Sequence, residues 1–293
     1  MIHVHAAAER SSRTVTVKVS NHMKRYHLNR FVLAAAVAAM AFLMTACGSV
    51  PLTGRKQVLL ISDQEVFQAG LTQYKEYIST STLSSDSKAT AMVRTVGQKL
   101  ASATEKYLKA NGLESELSNF AWEFNLVHDP QVNAFCMPGG KIVVYEGLLT
   151  VAQNEAELAV VLGHEIAHAV AKHSNERMSQ QIMAQYGMAI LSSALSEKSA
   201  AVQNTAVSVF GLGAQVGLML PYSRKHEYEA DYMGIVFMEL AGYDSNSALD
   251  FWTKMAAGGS GKSDFLSTHP SDSKRINALK ARIPEAKTIA GSM

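Results

Sequence analysis

Two histidines in the stretch "VLGHEIAHAVAKH" (residues 161–173) are spaced to bind one metal ion. Residues four apart on an α-helix lie about 40° apart around its axis and one turn along it. His164 and His168 therefore point the same way, and imidazole nitrogens are common ligands of Zn²⁺. Glu165 flanks the pair closely enough to take a proton from water activated by the ion. The spacing predicts His164 and His168 as metal ligands and Glu165 as the catalytic base.

The alternative is a helix that carries two satisfied core histidines. Its neighbours Val160, Val161 and Ile166 are apolar, and Asn154 with Glu157 can cap its start. Burying two imidazoles and a carboxylate on such a helix costs stability unless they have partners. A bound metal ion is the simplest partner, so the metal site is the preferred interpretation.

A third ligand is expected from "SRKHEYEADYMG" (residues 223–234). Glu227 and Asp231 are four apart and share a helix face, whereas Glu229 points roughly the opposite way. One carboxylate can bind the metal while the other accepts the free N–H of a ligating histidine. We predict Glu227 as the third ligand, Asp231 as that acceptor and Glu229 as a solvated charge. His226 lies next to Glu227 and is given no role.

His173 follows His168 by five residues, about 140° around a continuous helix. It cannot reach the same ion without a break in the helix, so we predict a structural or solvent-facing residue. The longer pattern H-E-x-x-H-x-x-G-x-x-H requires a histidine where this chain has Ser174, and that class of metalloprotease is excluded.

Composition favours one sizeable core, because the chain has 293 residues of which 47% are hydrophobic. Residues 1–46 hold six of the 27 basic residues but only one of the 25 acidic ones. The remainder has 21 basic and 24 acidic residues, and this weakly acidic body gives no electrostatic reason to expect nucleic-acid binding.

The first 46 residues have the pattern of a secretory signal. The basic stretch "MKRYHLNR", which begins at Met23, precedes the apolar run "FVLAAAVAAMAFLMTA" and then Cys47. "LMTAC" resembles a bacterial lipoprotein signal, which implies lipidation of Cys47; an ordinary cleaved signal or a simple anchor are the alternatives. Gly48 in place of Asp implies sorting to an outer membrane, facing the periplasm. With Cys47 lipidated, Cys136 has no partner for an intramolecular disulfide.

The predicted organisation is a signal peptide over residues 1–46, with translation starting at Met23, a lipidated tether over 47–61 and a single domain over 62–293. A helix is expected to begin at Ser62 in a capping box. A strand is predicted in "AWEFNLV", then a strand, a Pro-Gly-Gly turn and a second strand in "NAFCMPGGKIVVYEGLL". A further helix is predicted over residues 223–240.

Four motifs together resemble a known family: "NAFCMPGGKIVVYEGLL", "GHEIAHAVAKH", "HEYEADYMG" and "FLSTHPSDSKRI". They are similar to the gluzincin metallopeptidases that include HtpX and the CAAX prenyl proteases, and most similar to the soluble periplasmic lipoprotein branch (BepA-like). The resemblance covers about residues 90–285. It implies an α+β, mainly helical, zincin-type domain with a small sheet beside the active-site helix. It also implies Glu227, the first Glu of E-x-x-A-D, as the third zinc ligand.

The same resemblance implies an edge strand where an extended, unfolded substrate adds main-chain hydrogen bonds. That strand comprises Asn133, Ala134, Phe135, Cys136 and Met137. Related lipoprotein proteases can place a loop histidine on the open zinc position. His269 would then be either a latch that holds the enzyme inactive or a polar group near the oxyanion, and Arg275 would support the same site.

The predicted function is that of a zinc-dependent endopeptidase with one Zn²⁺ per chain, anchored to a membrane as a lipoprotein. It would cleave unfolded or misassembled envelope proteins by attack of metal-activated water. The alternative is an envelope chaperone or assembly factor with latent protease activity. The intact set of two histidines and two glutamates favours the enzyme, because a protein that only holds clients has no use for a positioned base.

Overall fold

The structure is a computed structural model that describes residues 47–196, 198–205, 208, 220–257, 265, 269 and 273–293. The predicted signal peptide lies outside these residues. The elements are β1 (Cys47–Ser49), β2 (Lys56–Val58), α1 (Asp63–Thr80), α2 (Ser87–Ala110), β3 (Glu123–Val127), β4 (Ala134–Met137), β5 (Lys141–Tyr145), α3 (Glu155–Val170), α4 (His173–Ala194), α5 (Leu220–Leu240), α6 (Ser247–Ala257) and α7 (Ser273–Gly291). Short 3₁₀ helices occupy Glu114–Asn119 and Glu146–Thr150. The predicted mainly helical α+β class is confirmed.

Side-chain caps fix where the first helices begin. The hydroxyl of Ser62 accepts from the Glu65 N–H, and the Glu65 carboxylate accepts from the Ser62 N–H. This is the predicted capping box, and it satisfies two backbone donors that a helix start leaves open. Asp86 caps α2 in a similar way through the Ala89 N–H.

The sheet beside α3 has the strand order β3-β5-β4. β3 runs parallel to β5 with Glu123 opposite Lys141, and β4 runs antiparallel to β5 with Met137 opposite Lys141. The predicted strand–turn–strand unit is confirmed. Its turn contains Gly139 and Gly140 at φ of +92° and +76°, a backbone conformation that glycine adopts without strain. β4 therefore lies at an edge of this sheet, where another extended chain could pair.

The helices α3 and α5 approach closely where two glycines face each other. A Cβ added to Gly163 would lie 3.0 Å from the carbonyl oxygen of Gly234, and a Cβ on Gly234 would lie 3.0 Å from the His164 backbone nitrogen. A side chain at either position would make a contact tighter than almost all real Cβ contacts, and the helices would have to shift by a few tenths of an ångström. The crossing places His164 on α3 beside the polar residues of α5, and α3 is buried along nearly its whole length.

The segment after Cys47 packs against the rest of the chain. Residues from Gly48 to Met293 form one compact unit, in which Val50 is fully buried. The division into a tether over 47–61 and a domain over 62–293 remains a prediction. Within the described part of the chain, no helix combines the length and hydropathy that crossing a bilayer requires.

Candidate metal centre

α3 presents two histidines to one point. Asn154 caps the helix by accepting from the Glu157 N–H, and the helix then carries His164 and His168 on one face. Their Nε2 atoms lie 3.0 Å apart, and His164 is buried. The two histidines, four residues apart, thus lie side by side as helix geometry predicts.

Glu227 on α5 faces both imidazoles, as predicted. Its Oε2 lies 3.3 Å from His164 Nε2 and its Oε1 lies 3.4 Å from His168 Nε2. His269 completes the cluster, because its Nδ1 lies 3.0 Å from Glu227 Oε2 and 3.1 Å from His164 Nε2. One ligand atom from each of the four residues falls within 4.8 Å of every other.

The spacing of these atoms fits a zinc ion. Ligand atoms about 2.0–2.1 Å from an ion would be about 3.3–3.4 Å apart in an ideal tetrahedron. The contacts within the cluster are 3.0 to 3.4 Å. The Nδ1 atoms of His164 and His168 face Asp231 and His173, so both Nε2 atoms can direct lone pairs to the same point. A buried cluster of acceptors of this kind can hold a cation.

The charges of the cluster support the same conclusion. Burial disfavours the charged imidazole of His164, but hydrogen bonds to Asp231 and Glu227 outweigh it and raise its pKa to about 9. Burial lowers the pKa of His168 to about 3. Burial also disfavours the Glu227 carboxylate, yet hydrogen bonds from His164, His168 and His269 hold its pKa well below the usual range. The pocket therefore favours positive charge beside Glu227.

Asp231 and Arg275 both contact His164 at Nδ1, the ring nitrogen that does not face Glu227. The Asp231 Oδ1 lies 3.0 Å from His164 Nδ1, and Arg275 Nε donates to Asp231 Oδ2 at 2.5 Å. Arg275 Nη1 also lies 3.2 Å from Glu227 Oε2 and donates to the carbonyl oxygen of His269 at 3.2 Å. Arg275, from α7, thus joins the two predicted carboxylates and the backbone of His269.

Glu165 lies between the cluster and the edge strand. Its Oε2 accepts the backbone N–H of Cys136 in β4 at 3.0 Å. Its Oε1 has no hydrogen-bond partner among the described residues, and His269 Nε2 lies 3.5 Å away. Burial raises the pKa of this carboxyl group. One oxygen is thus held by the strand while the other remains available to a proton.

Four of the five residues predicted as a substrate-binding edge strand form β4, and substrate binding there stays a prediction. Residues 134–137 form β4, and Asn133 precedes it with its carbonyl oxygen accepting the Tyr145 N–H. Ala134 is buried, whereas Phe135, Cys136 and Met137 are partly exposed. The hydrogen bond to Glu165 links this strand directly to the predicted base.

One prediction about the polar neighbours was wrong: Glu229 is not solvated, since its exposed fraction is 7%. The exposed fraction of His173 is 1%, which fits the structural alternative and not the solvent-facing one. The helix breaks at Lys172, whose φ of +56° is left-handed, and α4 then starts at His173. The break turns His173 back onto His168, with the two Nδ1 atoms 2.8 Å apart. His173 therefore contacts the second predicted ligand.

His226 and Glu176 belong to the same buried region and were given no role from the sequence. His226 stacks on His173 at 4.1 Å between ring centroids and lies 2.9 Å from Glu176. The one sequence signal for this group is the high density of charged and histidine residues in "KHEYEAD". Hydropathy patterns do not show which of these side chains face the core.

Known proteins resemble this chain over its central part. The protein "Mitochondrial metalloendopeptidase OMA1" of Schizosaccharomyces pombe is 40% identical over 176 residues, covering 59% of this chain and 50% of that protein. "Metalloendopeptidase OMA1, mitochondrial" of Danio rerio is 29% identical over 273 residues, covering 90% of this chain and 56% of that protein. "Beta-barrel assembly-enhancing protease" of Yersinia pestis is 31% identical over 172 residues, covering 57% and 35%. The chain thus spans about half the length of these relatives, or less.

A model of the family described as "Peptidase family M48" matches residues 91–283, well over half of the chain. The matched stretch includes the whole of α3 and α5, and therefore His164, Glu165, His168 and Glu227. The predicted metallopeptidase assignment is confirmed at this level: the chain belongs to peptidase family M48.

Proposed function

We propose that this protein is a zinc-dependent endopeptidase with one ion per chain, bound by His164, His168 and Glu227. The observation that carries the proposal is the convergence of these three side chains beside a buried carboxylate, Glu165. When bound, zinc would acidify water and polarise the scissile carbonyl.

Glu165 supplies the acid–base chemistry in this proposal. Its Oε1 takes a proton from the attacking water and passes it to the leaving amine. Burial raises its pKa, which makes the carboxylate a stronger base. The Cys136 N–H holds the other oxygen in place and so sets the direction of Oε1.

The substrate is proposed to be an extended polypeptide that adds a strand to β4. An edge strand offers unpaired backbone groups, and a peptide without structure of its own can satisfy them. The partly exposed side chains of Phe135 and Met137 border this edge. Unfolded or misassembled proteins are the substrates that meet this requirement.

His269 is proposed to act as a latch. A catalytic zinc site keeps one position open for reactants, whereas four protein ligands make a closed, structural type of site. His269 Nδ1 lies among the other ligand atoms, which favours a latent state over an oxyanion role. This arrangement also favours the second candidate function, an assembly factor or chaperone whose protease activity is latent.

The proposed location is an outer membrane, facing the periplasm, with lipid on Cys47. The basic stretch, the apolar run and "LMTAC" support this proposal. The name of the Yersinia pestis relative refers to β-barrel assembly, which agrees with substrates among envelope proteins. Other relatives are named as mitochondrial proteins, so the assignment to the soluble lipoprotein branch is part of the proposal.

The test is digestion of an unfolded protein by the wild type, by Glu165→Gln and by chelator-treated wild type, with zinc content measured on each. Glu165→Gln should bind zinc as the wild type does and lose about 10²–10⁴-fold in rate, the share that a general base contributes. Glu157→Gln is the matched control, because Glu157 is a buried glutamate on the same helix and pairs with Lys254 instead. Undiminished cleavage by Glu165→Gln would remove the base assignment, and activity without metal would remove the proposed function.

A further inference from the structure

The two histidines of α3 are supported in different ways. His164 has a carboxylate directly behind it, because its Nδ1 lies 3.0 Å from Asp231 Oδ1. The Nδ1 of His168 instead faces a second imidazole, that of His173, at 2.8 Å. Outer-shell partners of this kind fix the ring orientation and tautomer of a metal ligand.

The hydrogen bonds behind His168 run in one direction. With Nε2 turned to the cluster, His168 carries its proton on Nδ1 and donates it to His173 Nδ1. His173 then carries its own proton on Nε2, which donates to Glu229 Oε2 at 3.0 Å. Each ring thus has a single tautomer that satisfies its contacts.

The hydrogen bonds run from His168 through His173 to Glu229. Glu229 is bound in turn by residues of the segment between β1 and β2. Arg55 Nε donates to Glu229 Oε2 at 2.8 Å, and the Thr53 hydroxyl donates to Glu229 Oε1 at 2.5 Å. The other two guanidinium nitrogens of Arg55 donate to the two oxygens of Glu176 at 2.8 and 2.7 Å. Glu229 is therefore fixed by residues more than 170 positions away in the chain.

Stability alone does not require this arrangement. Removing charges and imidazoles from water costs several kcal/mol per ion, and apolar residues of similar volume often stabilise a core equally well. A buried series of polar groups that ends on a predicted metal ligand points to a role in positioning that ligand.

We propose that His173 is a positioning residue for the metal ligand His168, and that Arg55 and Thr53 hold it in that role through Glu229. The inference deepens the proposed function and rests on it. It makes the segment that follows Cys47 a part of the support of the metal centre. The zinc affinity of the protein, and not only its stability, then depends on this segment.

The test measures the zinc dissociation constant of the full-length chain by competition with a chromophoric chelator, together with the melting temperature of the metal-free protein. His173→Phe keeps a ring of similar size and removes the acceptor. His173→Asn keeps an acceptor, because the amide oxygen is the same number of bonds from Cα as Nδ1. We expect His173→Phe and Glu229→Gln to weaken zinc binding about 10- to 100-fold, the usual effect of losing an outer-shell partner.

His173→Asn should weaken zinc binding less than His173→Phe does, because it preserves the acceptor for His168 although it lacks the Nε2–H that donates to Glu229. Glu157→Gln is the matched control, because Glu157 and Glu229 are equally buried, at 7% exposure, and only Glu229 leads to the cluster. This control should lower the melting temperature and leave zinc affinity within about twofold. Arg55→Gln should weaken zinc binding in the same direction as Glu229→Gln.

Several results would overturn the inference. Unchanged zinc affinity in Glu229→Gln, which is isosteric and keeps the fold, would make the series structural only. Equal losses in His173→Phe and His173→Asn would contradict a role for the acceptor. A wild type that binds no zinc is a different outcome, since it contradicts the proposed function itself.

Discussion

His269 is the residue on which the state of the proposed active site depends. Its Nδ1 contacts both Glu227 and His164, at 3.0 and 3.1 Å, so in the proposed latch it would take the place of a substrate. Arg275 donates to the backbone carbonyl oxygen of His269. This contact within the chain supports the proposed latch.

We predict that His269→Ala raises cleavage of an unfolded protein at least about fivefold at equal zinc content, which corresponds to about 1 kcal/mol in the barrier. The reason is that a catalytic ion needs a free position, and the alanine vacates one. Initial rates on a fluorescent casein-type substrate measure the effect. His128→Ala is the control, because His128 is an exposed histidine paired with Glu146. A lower rate would assign His269 to the oxyanion, and an unchanged rate would exclude both roles.

His164 makes a second prediction at this scale, for the metal-free protein. Its pKa is raised from 6.5 to about 9 in the folded state by Asp231 and Glu227, against the effect of burial. The folded state thus binds more protons than the unfolded state across this interval, so stability is complete below pH 6.5 and declines as pH rises through about 9. The free energy of unfolding should fall by about 1 kcal/mol between about pH 7 and about pH 8.

Urea unfolding of chelator-treated protein at these two pH values measures that slope. In His164→Asn the titrating group is absent, and the slope should largely disappear. A wild-type stability that stays constant or rises over the interval would show that the folded state does not hold the extra proton.

At the scale of elements, the crossing of α3 and α5 brings the predicted ligands together. Gly234→Ala would place a Cβ 3.0 Å from the His164 backbone nitrogen. Because the contacted atoms belong to the backbone of α3, we expect the two helices to shift apart by a few tenths of an ångström, at a cost of about 1–3 kcal/mol for an overpacked site. We predict a lower melting temperature together with weaker zinc binding. His164 lies on α3 and Glu227 on α5, so a shift of the helices would change the distance between these two predicted ligands.

Calorimetry and chelator competition on the same sample test the two effects together. Gly291→Ala is the control, since Gly291 ends α7 and an added Cβ there meets no atom within 4 Å. A Gly234→Ala variant that keeps both melting temperature and zinc affinity would mean that the spacing of the helices does not set the geometry of the site.

For the whole molecule, sequence reasoning succeeded where the signal was local. The i,i+4 spacing placed His164 with His168 and Glu227 with Asp231, because one turn of helix determines each pair. It missed the helix break before His173, because a left-handed residue other than glycine has no local signature. Lys172 takes its left-handed conformation where its ammonium group pairs with Asp63 and Glu116, both distant in sequence.

The support of His168 could not be predicted for the same reason. Arg55 and Glu229 are separated by 174 positions, and their hydrogen bond exists only after the chain has folded. On a helical projection Glu229 is opposite Glu227 and Asp231, which suggested solvent; the segment between β1 and β2 covers that side instead. Burial on several faces of α5 defeats an argument based on one polar face.

The attachment of the molecule to a membrane is the last prediction, and it is independent of the metal centre. If Cys47 carries lipid, its acyl chains each contribute about 0.8 kcal/mol per buried CH₂, enough for stable anchoring when two or more are present. Cys47→Ser should then move the protein from the membrane pellet to the soluble fraction. Mass spectrometry of the peptide that contains residue 47 should show the loss of the mass of the lipid. Cys136→Ser, the change at the other cysteine, should remain in the pellet. A Cys47→Ser protein that resists a high-salt wash with unaltered mass would identify the apolar run before Cys47, and not a lipid, as the anchor.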